Sequence, residues 1–285
     1  MIKAMSTAKK PLNMRILRQV LMAALLVLIF FVMVFPFFYM LTSSLKNDQD
    51  VFTKSMFYVP NPPIWNNYGR VWTEISFLQY YLNTIKITVL ATALQLFISA
   101  TAAYAFARMQ VPFKNFFFTL FISTMMVPWT AVMIPQFILV SSMGLYDSHA
   151  SLILLQGFNA FGIFMLRQFF MGIPNELSEA AVLDGCGHWR IFTRIMLPLS
   201  KSSIAALLIF SFIKVWNDYL APLIYLQTPG KRTVQLGLSL FYSQYSMEYG
   251  VIMAGTVCAL LPVLVLYIFC EKQITTGIAF SGMKN

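Results

Sequence analysis

Residues 174–199 read PNELSEAAVLDGCGHWRIFTRIMLPL, from Pro174 to Leu199. Long apolar runs flank this charged stretch on both sides, yet its pattern is helical. Asn175 is placed to cap the first turn by accepting from orphan amides. Glu176 and Glu179 follow where the helix dipole favours negative charge. Gly185 and Gly187 supply the stop, because glycine accepts the left-handed geometry of a helix C-terminus. The result is a helix of about two to three turns, far short of the roughly 20 residues that cross a bilayer. Leu177, Ala180, Ala181 and Asp184 fall at i, i+3, i+4 and i+7 and form one face. Two of the four are alanines, which permit close approach of another backbone. A second amphipathic piece, Trp189 to Met196, follows, and Pro198 precedes the next apolar run.

Outward from this stretch the chain is apolar. Of 285 residues, 59% are hydrophobic and 11% charged, with a mean hydropathy of +0.71. Soluble domains carry about 25% charged residues, so the composition is that of an all-α integral membrane protein. Six spans are expected: Val20 to Leu41, Tyr80 to Phe106, Phe116 to Leu139, Ala150 to Met171, Ser203 to Leu223 and Val251 to Cys270. The first run has 22 residues, longer than the 7–15-residue core of a cleaved signal peptide, so it reads as a retained span. Pro128 and Pro135 predict a broken or kinked third span. Such a break is tolerated where the freed carbonyls are buried in protein or face water.

Polar residues inside the spans mark candidate sites. In span two Thr84, Thr88, Thr92, Gln95 and Ser99 share one helical face. A polar stripe is costly in lipid and should face the bundle interior, either as hydrogen-bonding glue between helices or as a lining of the solute path. Asn159 in span four and Lys214, Asn217 and Asp218 in span five join Thr84, Thr88 and Gln95 as candidates for that path. Lys214 falls about midway along span five; it and Asp218 are four apart, so Lys214 is expected either to pair with Asp218 on one face or to line the path.

Charge sets the orientation. With the N-terminus inside, thirteen Lys and Arg fall in inside segments and five in outside loops. Both termini and the 174–199 stretch are then cytoplasmic. The net charge of +10 is scattered over loops without interleaved aromatics, which suits anionic lipid and not nucleic acid. Cys186, Cys258 and Cys270 form no Cys-x-x-Cys pair, and His149 and His188 are far apart, so neither a disulfide framework nor a metal site is indicated. No Walker A loop occurs. No ATP-binding loop is therefore read in this chain, and no catalytic residue is assigned.

Glu179-Ala180-Ala181, then Asp184-Gly185, then Phe192, Ile195, Leu197 and Pro198, resembles the EAA motif of the permease subunits of bacterial ATP-binding-cassette importers. The resemblance implies the type I importer permease fold and a cytoplasmic coupling role for residues 175–197, carried by Glu179, Ala180, Ala181, Asp184 and Gly185 docking into an ATPase. Trp216-Asn217-Asp218-Tyr219 with Pro222-Leu223, and Arg232-Thr233-Val234 before Leu236-Gly237-Leu238, look most like the second permease of the maltose-type carbohydrate group. The tail Gly277 to Lys284 is similar to that group's Gly-rich tail but departs from it at Phe280 and Met283. The resemblance further implies a bacterial inner-membrane location and four partners: lipid, a homologous second permease, an ATPase dimer that uses ATP and Mg, and an extracytoplasmic solute-binding protein. It divides the chain into a tail (1–15), a first span with its loop (16–79), a permease domain (80–271) and a C-terminal tail (272–285). Two other readings remain open at this point: the same machine with a non-sugar solute, and a carrier driven by an ion gradient. A gradient-driven carrier has no need of the 174–199 segment.

The topology is testable by cysteine labelling of intact cells. A membrane-impermeant thiol reagent should reach cysteines placed at Ser142 and Gln244 but not at Ser178 or Lys284; labelling at Ser178 from outside would overturn the orientation.

Overall fold

The computed structural model describes residues 12–73, 76–244 and 248–282. All regular elements among them are helical, and they group into two compact units. Among the described residues four helices are long and apolar enough to span a bilayer, and the count reaches six only if each of two sharply bent helix pairs, 114–142 and 188–216, is taken as one span.

The first unit comprises residues up to Arg70 and residues 247–257. Helix α1 (Leu12–Ser43) carries Pro36 inside it, and its apolar span window is entirely unburied. The following segment, expected as a loop, contains α2 (Asp48–Thr53) and the start of α3 (Asn66–Thr73). Polar bonds tie it down: Asn67 Nδ2 donates to the carbonyls of Ser44 at 2.9 Å and Lys46 at 3.0 Å. Tyr39 donates to Val51 O at 3.0 Å. Lys46 is wholly buried, with its ammonium over the rings of Tyr39 and Tyr58, a cation–π arrangement that offsets part of the cost of burying it.

The second unit is built on α4 (Phe77–Arg108). Next come α5 (Lys114–Ser123), a 3₁₀ turn at Thr124–Met126, and α6 (Trp129–Ser142). Helices α7 (His149–Gln156) and α8 (Ala160–Gly172) make the fourth span. The charged stretch holds α9 (Asn175–Leu183), α10 (His188–Ile191), a π-helical turn at Phe192–Met196 and α11 (Leu197–Leu199). Then follow α12 (Lys201–Trp216), α13 (Leu220–Tyr225), α14 (Val234–Gln244) and α15 (Tyr249–Gly282), whose first turns belong to the first unit.

Helix α4 packs along α8, α12, α7 and α14. Thr84, Thr88, Thr92, Gln95 and Ser99 are all buried, as the polar stripe required. Small neighbours Ala91, Ala100 and Ala103 are buried with them, and small residues bring membrane helices close. Opposite them sits Gly162 of α8, where an added Cβ would lie 2.6 Å from Ser99 Oγ and 3.1 Å from Leu207 of α12.

Several boundaries differ from those read in the sequence. The third span bends by 103° where Val127-Pro128 separates two helices, while Pro135 stays inside α6. The fifth span is not one helix over 203–223: α12 ends at Trp216 and α13 restarts at Leu220. An 80° bend at Ser200 separates α12 from the amphipathic helix before it. The loop expected after span five contains α14. Helix α15 runs on past Cys270 to Gly282, into the expected C-terminal tail. Residues 1–11 of the N-terminal tail, and Met283 and Lys284, lie outside the described residues, as does the side chain of Phe280.

Gly162→Val should test the α4–α8–α12 contact. Overpacking at such a site costs roughly 1–3 kcal/mol, so thermal unfolding of the purified protein in detergent should shift down by several degrees. An unchanged midpoint would show that these helices part easily.

A cavity at three helix breaks, and the charged segment

Three interruptions surround one cavity of about 450 Å³. Trp129 opens α6 after the Pro128 break, Phe158 lies between α7 and α8, and Asn217, Asp218 and Tyr219 lie between α12 and α13. Gln136 and Gln156 add amides, and Lys214 an ammonium. Each break follows from the local sequence. Pro128 lacks the N–H that a continuing helix needs. Asn159 is better placed as a cap, and its Oδ1 accepts from Gly162 N at 3.3 Å at the start of α8. Asp218, one residue before the cap position of α13, accepts from Ala221 N of its first turn at 3.3 Å.

A chain of amides joins the breaks. Gln156 Nε2 donates to Asp218 Oδ2 at 2.6 Å. The Gln156 carbonyl, freed by the end of α7, accepts from Gln95 Nε2 at 2.5 Å. Gln95 Oε1 in turn accepts from Asn159 Nδ2 at 3.1 Å. On the far wall Trp129 Nε1 donates to Gln136 Oε1 at 3.1 Å. Gln235 Nε2 of α14 donates to Asn217 Oδ1 at 3.2 Å.

Of the residues singled out in the sequence, Lys214, Asn217 and Asp218 line the cavity. Gln95 and Asn159 stand behind it, one hydrogen bond from Gln156 or from each other. Thr84 and Thr88 are not part of it. Thr84 Oγ1 accepts from Val234 N at 2.8 Å and fixes the start of α14, and Thr88 is fully buried in the helix interface. The expected Lys214–Asp218 ion pair does not form. Helix α12 stops between them, so they no longer share a face, and Asp218 takes Gln156 as its partner. Lys214 is in the last turn of α12 and exposed, not midway along a span. Gln136, Trp129 and Phe158 were missed. Gln136 beside Pro135, and Gly157-Phe158-Asn159 after Gln156, were the available signals.

At one end of the same unit, Asp147 locks a loop. Its φ is +53°, a left-handed value that Asp tolerates better than most residues. Its carboxylate accepts from Gln227 N and Thr228 N at 2.9 and 3.0 Å, from Thr228 Oγ1 at 2.5 Å, and from Lys231 Nζ at 3.0 Å. The Thr228 bonds first, and the Lys231 ammonium after them, hold this carboxyl well below the usual carboxylate range. A depressed folded-state pKa keeps such a contact in place above the ordinary carboxylate pKa, with loss only as pH falls through the lowered value.

The charged segment lies at the other end. Helix α9 begins after Pro174, and Asn175 is its first residue, not its cap. The Asn175 side chain instead accepts from Arg108. The glycine stop is formed as read. Gly185 has φ +77°, Gly185 N donates to Val182 O at 3.0 Å, and Cys186 N donates to Ala181 O at 2.8 Å. That pair of bonds is a Schellman closure. The expected apolar face divides. Ala181 is buried in this chain's own core with Tyr104, Ile191, Phe192 and Met196, so its small size serves close approach within the subunit. Glu179, Ala180 and Asp184 are exposed, and Leu183 is 89% exposed beside Val182 at 57%.

These features match a known class. The chain belongs to the family of binding-protein-dependent transport system inner membrane components, matched over residues 12–271. It is therefore a multi-pass transport permease of the inner membrane, and the ion-gradient carrier considered from the sequence is set aside. It is 33% identical over 247 residues to the lactose transport system permease protein LacG of Rhizobium radiobacter, covering 87% of this chain and 90% of that protein. It is 32% identical over 254 residues to the arabinooligosaccharides transport system permease protein AraQ of Bacillus subtilis, covering 88% and 90%. Its fold matches a chain of a bacterial ABC transporter involved in the import of the acidic polysaccharide alginate, with TM-score 0.80, 26% identity, and coverage of 93% and 99%.

The cavity can be probed by substitution, with uptake of a labelled oligosaccharide as the readout. Gln156→Leu removes the donor to Asp218 and leaves a partly buried acceptor unpaired, at a cost of about 1–3 kcal/mol. Solute uptake by membrane vesicles should fall roughly tenfold, and Lys214→Met should also impair it, with both variants present in the membrane at normal amounts. Wild-type uptake by both would remove these residues from the path.

Proposed function

We propose that this chain is one of two permease subunits of an ATP-driven importer for a sugar or oligosaccharide. The observation that carries the reading is the cavity at the three breaks. It presents amides from Gln136, Gln156 and Asn217, charges from Lys214 and Asp218, and the rings of Trp129, Phe158 and Tyr219. Amides and carboxylates exchange hydrogen bonds with hydroxyls, and ring faces cover the C–H surface of a pyranose. The relatives named for lactose and arabinooligosaccharides support the same solute class. In this reading Thr84, Thr88, Gln95 and Asn159 hold the helices around the path.

A homologous permease would complete the channel. A solute-binding protein would deliver the sugar from outside, and both termini would be cytoplasmic. ATP and Mg would be used by a separate ATPase dimer, with no cofactor held by this chain. Residues 175–197 would couple to it. Glu179, Ala180 and Asp184 offer exposed surface, Gly185 fixes the helix end, and Leu183 and Val182 give an apolar contact. Ala181 would seat the helix on its own subunit, so Ala181→Trp is a test of packing, not of docking.

The test is reconstitution of the chain with its permease and ATPase partners in liposomes, with the binding protein supplied. Uptake of a labelled oligosaccharide should require ATP and survive a protonophore. Leu183→Asp should leave a folded subunit that retains at most a tenth of the co-purifying ATPase and loses uptake. Uptake that persists without ATP but collapses with the protonophore would reject the reading, and a solute panel in which only peptides or polyamines are carried would reject its sugar half.

A further inference from the structure

Helix α8 and helix α9 meet at a joint. Helix α8 ends at Gly172, Ile173 and Pro174 are extended, with ψ of 134° and 137°, and α9 starts at Asn175. Nothing lies within 4 Å of the position a Gly172 Cβ would take. Two extended residues between helices, one of them flanked by open space, leave the second helix free to swing about the first unless something else holds it. Ala181 seats the middle of α9 in the core beside Tyr104, but an open groove of about 690 Å³ runs between the last turns of α4 and the flank of α9 that carries Asn175, Ser178 and Val182, so that flank has a gap beside it.

Arg108, the last residue of α4, reaches across both sides of this joint. One terminal nitrogen of its guanidinium donates to Phe170 O at 2.7 Å and to Ile173 O. The other donates to the side-chain oxygen of Asn175. Phe170 lies in the last turn of α8, where its carbonyl also accepts from Ile173 N at 3.3 Å, and Ile173 follows the helix end; the carbonyls here make the negative pole of the helix dipole. A cation is favoured there, and the planar fork of a guanidinium fixes the directions of its bonds in a way an ammonium does not. The Asn175 oxygen is free for this bond because Pro174, not Asn175, occupies the cap position. One turn before Arg108, Tyr104 adds a second link: its hydroxyl lies 3.2 Å from His188 Nδ1 of α10.

We infer that Arg108 is a positioning residue that makes α4, α8 and α9 move as one body. It transmits displacement of the charged segment to the cavity. This rests on the importer reading above. Arg108 and Gln95 share α4 and are thirteen residues apart, about 20 Å along the helix. Gln95 is the residue that holds the freed Gln156 carbonyl and Asn159 at the cavity wall. A push on α9 that would otherwise be taken up by rotation at Ile173-Pro174 is instead delivered to α4. Helix α4 carries it to the amides around the solute.

The readout is the number of solute molecules moved per ATP hydrolysed by the reconstituted importer. The ratio is read on purified, fully assembled complex, so that unassembled ATPase does not add to the ATP hydrolysed. Arg108→Gln should lower it at least fivefold, and Arg108→Lys, which can meet only some of the three acceptors, should fall between. Asn175→Ala removes only the acceptor on α9 and leaves the α8 carbonyls bonded; it should lower the ratio by a similar factor to Arg108→Gln. If Arg108→Gln does not assemble, Asn175→Ala decides alone. A wild-type ratio in Asn175→Ala overturns the inference, because Arg108 then serves only the end of α8. An unmodified importer that shows no ATP-driven uptake overturns the importer reading itself, a separate and recognisable failure.

Discussion

A helix that breaks inside a bilayer leaves carbonyls and amides that no lipid can satisfy. Each such group costs several kcal/mol if left alone. The second unit of this chain breaks three of its spans and places all three interruptions around one cavity. The arrangement holds because side chains take up freed groups: Gln95 bonds the Gln156 carbonyl, Asn159 caps α8, and Asp218 accepts from an amide in the first turn of α13. Without these amides and carboxylates the breaks would either reseal as continuous helix or draw water against the lipid face. The cavity is thus the geometric result of satisfying backbone groups, and its polarity comes from the residues that do so.

Helix α4 links this cavity to the charged segment. Its mid-section carries the buried polar stripe, and its last turns carry Tyr104 and Arg108. The same helix is bound to α8 by close packing at Gly162 and Ser99. A transporter needs its solute site and its drive site to respond to each other over tens of ångströms. A long helix packed against another at small residues is a stiff way to connect them, since neither can bend independently without opening a tight contact.

Much of this was legible in the sequence because membrane chemistry leaves strong signals. Run length and hydropathy gave an all-helical, multi-pass protein. The Thr84–Ser99 period placed the stripe inside the bundle, and Gly185 marked the end of α9. Other features were hidden, each for a physical reason. Asn175 has the right chemistry for a cap, but a nearby guanidinium competed for its oxygen and Pro174 took the cap position. Ala181 looked like a free small face, yet the same smallness serves internal packing, and sequence does not say which neighbour approaches. Lys214 and Asp218 have the spacing of an ion pair only if the helix continues, and Asn217 ends it. Gln136 and Trp129 reach the cavity through a 103° bend whose direction no local pattern encodes.

The unburied first helix has a consequence for how the protein is made. Its span window has a mean hydropathy of 3.0, against 1.6 for α4 and 1.5 for the α7–α8 span. A span as apolar as α1 partitions into the bilayer as it leaves the translocon, with Leu, Ile, Phe and Val each contributing favourably. The window of α4, with three threonines, a glutamine and a serine on one side, gains far less and hides its polar face only once α8 and α12 arrive. Insertion of the permease core is therefore a cooperative event between helices as far apart in the chain as Phe77–Arg108 and Lys201–Trp216. During that interval α1 is the helix that stays in the membrane without help, keeping the nascent chain anchored while its less apolar spans wait for one another.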